Sequence, residues 1–250
     1  MVYRALTLFN TLKQDILNDD VIEIKGVKVP NFFKQDYNLQ FEFCHQFIEL
    51  YQDFILQPRG LFAYESEELS ISNNDVVFDC GANMGLFAAY AASKGATVYC
   101  FEPCSSTRVL LEQTQHLYPH NIRIYPYAIG GCTDIATLYH TDNIGANHLS
   151  QYDVNKDNEI MGYERVPVIT IDNFVADTGI VPTIIKMDIE GAEIDAIRGG
   201  IQTLNTHSPK CVIASYHFSD TEKHIRSIIN TLSSKWKIKK KQDNLFLYKI

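Results

Sequence analysis

From Asp75 onward, short apolar runs alternate with longer stretches in which apolar and polar residues are mixed. Runs of four to eight residues rich in Val, Ile and aromatic side chains read as buried strands, and the stretches between them as amphipathic helices. On this pattern strands are predicted at 75–79, 96–101, 122–128, 183–188 and 210–216. Strands that alternate with helices build a mainly parallel sheet covered on both faces, so the predicted class is α/β. Two further apolar segments, 235–240 and 245–249, flank Gln242-Asp243-Asn244 and read as a hairpin.

The texture differs before residue 70. Leu6, Leu8, Phe9, Leu12 and Ile16 form a helical stripe, Val21 to Val29 reads as a short hairpin, and Asp36 to Phe54 reads as a second helix with Leu39, Phe43, Phe47 and Tyr51 spaced by four. Residues 1–70 are therefore expected to be a helix–hairpin–helix cap on a main domain spanning 71–250, with a substrate lid or a dimerisation arm as the alternatives. Between the third and fourth predicted strands lies an insertion, 136–172. Its ends, Ala136 to His140 and Val166 to Ile171, are expected to pair, and the polar stretch Thr141 to Gly162 between them is expected to be a long loop. Loops of that length in compact domains are often binding loops, which makes it a candidate for contact with a substrate.

Candidate chemistry begins where the first strand, Val76-Val77-Phe78, runs into Asp79-Cys80-Gly81-Ala82-Asn83-Met84-Gly85 and opens a helix. Gly81 and Gly85 allow close backbone approach to a ligand, and Asn83 tolerates a left-handed conformation. A dinucleotide site would read Gly-x-Gly-x-x-Gly, but Asn83 and Leu86 stand at its second and third glycine positions. Asp79 would also set a carboxylate beside two phosphates. It suits better a ligand with a cationic amino group and a sulfonium, such as S-adenosylmethionine. Sixteen residues beyond Leu86, Glu102 ends the second strand, where an acid can accept hydrogen bonds from both hydroxyls of a ribose.

Asp79-x-Gly81-Ala82-Asn83-x-Gly85, Phe101-Glu102-Pro103, Ala128-Ile129-Gly130, Thr170-Ile171-Asp172 and Lys186-Met187-Asp188-Ile189-Glu190-Gly191-Ala192-Glu193 resemble, in order, the signature blocks of the FkbM family of S-adenosylmethionine-dependent methyltransferases. The resemblance covers roughly residues 60–250 and is most specific from Lys186 to Glu193. It implies a class I, Rossmann-like methyltransferase domain in which the carboxyl-terminal hairpin supplies the reversed last strand. It also implies S-adenosylmethionine as cofactor, held around Asp79, Gly81, Asn83, Gly85, Glu102, Ala128 and Asp188. O-methylation of a sugar or other polyhydroxylated metabolite follows from the resemblance alone. The chain departs from the family pattern at Cys80 and Cys100 and lacks an asparagine in the helix after Pro103. A nicotinamide-dependent oxidoreductase and a non-catalytic binding module on the same fold are the competing readings.

Methyl transfer to a hydroxyl needs in-line placement and removal of a proton. His217, which follows the fifth strand, is the first candidate base because an ordinary imidazole titrates near neutrality, with Asp188 second and Glu190 beside it. Glu193 is expected to complement the positive end of its helix, and Lys186 to pair with these acids or orient an acidic acceptor. His148 in the insertion is a candidate acceptor contact. Asp188, Glu190 and Asp172 with a substrate diol could furnish oxygen ligands to a divalent ion, but Asp-x-Glu is too common a spacing to establish one, and no metal is expected. The formal charge of −8 over 250 residues argues against a general nucleic-acid binder. Six scattered cysteines without Cys-x-x-Cys spacing, and no run of about 20 apolar residues, lead to the expectation of a reduced, cytoplasmic protein that does not span a membrane. A homodimer is left open.

Overall fold

A computed structural model describes residues 19–34, 47, 64–152, 158–232 and 235–249. The helices expected over 6–16 and 36–54 lie outside these residues, except for the buried Phe47. The hairpin expected at 21–29 is present as β1 (Val21–Ile24) and β2 (Val27–Pro30). The chain continues through β3 (Val76–Cys80), α1 (Leu86–Ser93), β4 (Thr97–Phe101), α2 (Ser105–Leu117) and β5 (Ile122–Tyr125). An inserted region follows, with β6 (Ala128–Ile129), β7 (Asp134–Thr141), β8 (His148–Leu149) and β9 (Ile160–Ile169). Next come α3 (Ile171–Thr178), β10 (Ile184–Met187), α4 (Glu193–Arg198), α5 (Ile201–His207), β11 (Lys210–Ala214) and α6 (Thr221–Ile229). The hairpin β12 (Trp236–Lys241) and β13 (Asn244–Lys249) closes the described chain.

The expected α/β architecture is observed. Seven strands run in the order β12-β13-β11-β10-β3-β4-β5, parallel from β11 to β5, with β13 antiparallel between β11 and β12. Successive residues of the central strands point to opposite faces, so both must be apolar. Val77 and Val98 pack on one side with Met84, Leu86, the alanines of α1 and the apolar residues of β1 and β2. Phe78, Phe101, Ile185 and Met187 pack on the other with Phe174, Ile197 and Leu204. Chain order reverses between β3 and β10, and a crevice opens at their carboxyl ends, where open α/β sheets bind ligands.

The predicted third strand is corrected. It ends at Tyr125 because Pro126 has no N–H to continue the ladder, and Ala128–Ile129 instead pairs in parallel with the end of β9. The insertion forms a second sheet of order β6-β9-β7-β8. Its ends do pair, with Ala136 opposite Val166. The stretch Thr141 to Gly162 is less of a loop than expected, since it contributes β8 and the first residues of β9.

Asp172 has a structural task. Its Oδ1 accepts from the N–H and hydroxyl of Thr203 at 2.7 and 2.6 Å, and its Oδ2 from the Gln202 N–H at 3.0 Å. It thus caps α5 from a neighbouring helix, so the oxygen ligand set that was to include it loses this member. Asp172→Ala should leave these amides unpaired and cost about 1–2 kcal/mol. Thermal unfolding should show this as a fall of a few degrees in Tm, and an unchanged Tm would contradict the cap.

Candidate active site

The turn from β3 into α1 is left-handed at Gly81, Asn83 and Gly85, with φ of 76°, 48° and 85°. A Cβ on Gly81 would lie 1.9 Å from the Asp188 carbonyl oxygen, and one on Gly85 would lie 2.5 Å from Leu111 Cδ1. Both glycines therefore let the protein's own elements close on the turn, and for Gly85, which does not line the cavity, this replaces the expected role in ligand approach. Gly81 and Asn83 still line the cavity at the carboxyl ends of β3 and β10, whereas Gly85 lies behind it. That cavity measures about 340 Å³, within the range of a small-molecule site.

Glu102 lines the same cavity. Its Oε2 accepts from the Asn83 N–H and its Oε1 from the Cys104 N–H, both at 2.9 Å. Burial pushes its pKa up to about 7 against the lowering by these two amides. Each oxygen keeps a further lone pair, so the carboxylate can accept two hydroxyls of a bound ligand.

Asp79 does not line the cavity. It is fully buried, and its Oδ1 lies 3.1 Å from Lys186 Nζ on the adjacent strand. Its charge is thus taken by a lysine, a correction to the direct role assigned to it at a cationic ligand. Lys186 also donates to the Gly81 carbonyl at 2.8 Å and sits over the rings of Tyr64 and Phe87 at 5.6 and 5.9 Å. Burial works against its charge, but Asp79 and Asp188 outweigh burial and raise its pKa. It reaches the cavity wall as a cation already engaged by Asp79 and the Gly81 carbonyl.

Asp188 lies at the mouth, where its Oδ2 accepts from Tyr64 at 2.9 Å and its Oδ1 from Tyr216 at 3.0 Å. His217 is behind it, not on the cavity wall, with its side chain 3% exposed. Its Nε2 lies 3.4 Å from Glu190 and 3.7 Å from Asp188, and its Nδ1 3.0 Å from Glu193. Burial alone would lower its pKa, but Glu190, Glu193 and Asp188 raise it to about 11. The expectation of a free imidazole titrating near neutrality is thereby corrected: with its pKa raised to about 11, His217 is held as an imidazolium, which has no nitrogen lone pair with which to accept a proton. Glu193, on the first turn of α4, also accepts from the Ile189 N–H at 2.9 Å. Asp188, Glu190 and His217 each offer a ligand atom within 4.8 Å of the others, so a divalent cation could take the place of the imidazolium proton.

On the opposite wall are Ala128 and the segment from Asn143 to Leu149. His148 is buried there with Nδ1 3.0 Å from the Ala146 carbonyl, its ring edge-on to Tyr139. Sequence reasoning missed Tyr64, which lies in a stretch without periodicity. Tyr216, at the end of the predicted fifth strand, was also missed, although a tyrosine beside a strand-end histidine is a legible signal.

Among the described residues no helix is long and apolar enough to cross a membrane. Residues 79–240 match the family described as Methyltransferase FkbM domain. Hexuronic acid methyltransferase AglP of Haloferax volcanii is 26% identical over 173 residues, 68% of this chain and 65% of the relative. The chain thus spans just under two thirds of that relative's length. The crystal structure of Methyltransferase FkbM from Methylobacillus flagellatus KT is similar in fold, with a TM-score of 0.56 at 20% identity over 98% of this chain and 59% of that one. With the family match running over most of the chain, through the glycine turn, Glu102 and the Lys186–Glu193 block, the chain belongs to the FkbM family of class I methyltransferases.

Proposed function

We propose that the protein transfers a methyl group from S-adenosylmethionine to a hydroxyl oxygen of a sugar or related polyol. The reading rests chiefly on Asp188, a carboxylate at the cavity mouth held between two tyrosine hydroxyls. The Haloferax relative, named for hexuronic acids, supports the sugar class. The cradle suits the cofactor: Glu102 offers lone pairs to a ribose, and Gly81, Asn83 and Ala128 present small surfaces on the same wall. When bound, S-adenosylmethionine supplies an electrophilic methyl on a sulfonium.

The chain's own residues then divide the work. Asp188 accepts the proton of the acceptor hydroxyl, a contribution typically of 10² to 10⁴ in rate. Tyr64 and Tyr216 fix its orientation, and exposed Tyr216, with Tyr127 on the wall, offers ring faces to a sugar. The His217 imidazolium balances Asp188, Glu190 and Glu193, so His217 positions the base and does not serve as one. His148 and Lys186 remain candidates for acceptor contact, Lys186 through its field alone.

Asp188→Asn should lower kcat for methyl transfer by 10² or more with little change in affinity for S-adenosylhomocysteine, because a general base acts in the transition state. His217→Gln should cost less and should shift the pH–rate profile. A screen of neutral and acidic sugars and sugar nucleotides, read by mass spectrometry, supplies the acceptor. Transfer only to nitrogen acceptors, or an Asp188→Asn enzyme at full rate, would overturn the reading.

Glu102 generates a separate expectation. Its folded-state pKa near 7 means that the carboxylate protonates as pH falls through neutrality. Binding that requires both carboxylate oxygens as acceptors is then strong above about pH 7 and weakens below it, by at most tenfold per pH unit for one proton. Calorimetry with S-adenosylhomocysteine should show this trend. Glu102→Gln should bind about 1.5–3 kcal/mol more weakly with a flat profile. A flat profile in the unmodified protein would move the ribose site elsewhere.

A further inference from the structure

Outside the cavity, three side chains from three elements converge. Cys104 precedes α2, His140 lies on β7 and Glu164 on β9. Cys104 Sγ is 3.8 Å from His140 Nδ1, and His140 Nε2 is 3.2 Å from Glu164 Oε1. One ligand atom from each lies within 4.8 Å of the other two. We propose that Cys104, His140 and Glu164 form a binding site for a borderline-soft divalent ion of the Zn²⁺ type.

The donor set carries the choice of ion. Thiolate, imidazole and carboxylate together favour zinc over magnesium or calcium, which want oxygen ligands only. Bonds of about 2.0–2.3 Å to a tetrahedral zinc place ligand atoms about 3.3–3.8 Å apart. The imidazole stands between the sulfur, faced by Nδ1, and the carboxylate, faced by Nε2, so ion binding requires the ring to turn one nitrogen toward both. The surroundings support ligation. Asn147 Nδ2 donates to the sulfur at 3.4 Å, and the Ser106 hydroxyl lies 3.2 Å from it. Glu164 Oε1 is held by the Ser105 N–H and hydroxyl at 2.8 and 3.2 Å. Such outer contacts orient ligands.

Access separates this reading from a nucleophilic thiol. Cys104 is 1% exposed, so no substrate reaches its sulfur. The side chains of His140 and Glu164 are 24% exposed, which gives an ion an entry and leaves its fourth position to water. Binding releases the thiol proton, so affinity rises with pH. The ion would tie the start of α2 to both long strands of the second sheet. That brace stands next to Glu102, which accepts the Cys104 N–H, and to Asn147 on the cavity wall.

The test titrates untagged, reduced, metal-freed full chain with Co²⁺, then Zn²⁺. One equivalent of Co²⁺ should produce the near-ultraviolet thiolate-to-cobalt charge-transfer band, and Zn²⁺ should bleach it. Cys104→Ser and His140→Gln should abolish the band, Glu164→Gln should weaken Co²⁺ binding tenfold or more, and Cys132→Ser, which changes an exposed cysteine, should keep it. The Asp188 cluster contains no sulfur, so it cannot produce the signal. If Cys104→Ser fails to fold, His140→Gln decides alone, because it leaves the buried thiol in place. No band in the unmodified protein, or a band that survives His140→Gln, overturns the site. Neither methyl donor nor acceptor enters the measurement, so its outcome is independent of the methyltransferase reading.

Discussion

The ion pair between Lys186 and Asp79 is the interaction on which the site depends. The two residues face each other in register on β10 and β3, at the point where strand order reverses. A buried pair of this kind adds little net stability, but loss of one partner strands a charge in the interior and typically costs about 3–5 kcal/mol. Its value lies in position. Lys186 also holds the Gly81 carbonyl, so one ammonium ties the first strand, the fourth parallel strand and the glycine turn together. Two residues further on, Asp188 leaves the strand with its backbone against Gly81. One ammonium thus helps hold the glycine turn and the start of the Asp188 segment against the two central strands.

The acids beyond β10 are managed by the same logic. Asp188, Glu190 and Glu193 would repel one another if they were unpaired, and the His217 imidazolium sits among them. Its raised pKa records how strongly the folded state holds that proton. The stabilisation is complete below the unfolded imidazole pKa and is lost as pH rises toward about 11. Within the cluster, Asp188 is clasped by the hydroxyls of Tyr64 and Tyr216 at the mouth, the observation on which its proposed role rests.

The sheet was legible because its strands are continuous apolar runs, and β3, β4, β10 and β11 lie within a residue or two of their predicted places, as does the closing hairpin. Pro126 was the signal in plain view that the third strand could not continue. Asn83, Glu102 and Asp188 line one cavity, since each sits just beyond a strand end. Asp79, Asp172 and His217 were harder to place, because an acid or imidazole reads the same in sequence whether it faces a ligand, a lysine or a helix end. Only tertiary contacts decide which. Tyr64 was invisible, as it belongs to no periodic element.

The cavity joins walls with unequal freedom to change. On the side of the proposed cofactor, a Cβ at Gly81 would strike the backbone of Asp188, and the buried ion pair lies directly beneath. Backbone contacts of this kind leave no rotamer to adjust, so substitution there disturbs the sheet itself. The facing wall is built by the 3₁₀ turn Ile144–Ala146 and the two-residue strand β8, which belong to the inserted sheet and are held by side chains such as Asn143 and Asn147. Those contacts can be exchanged singly without touching β3 or β10. On the proposed reading, acceptor choice in this chain is therefore most directly sought between Asn143 and Leu149, where a substitution leaves the central sheet in place.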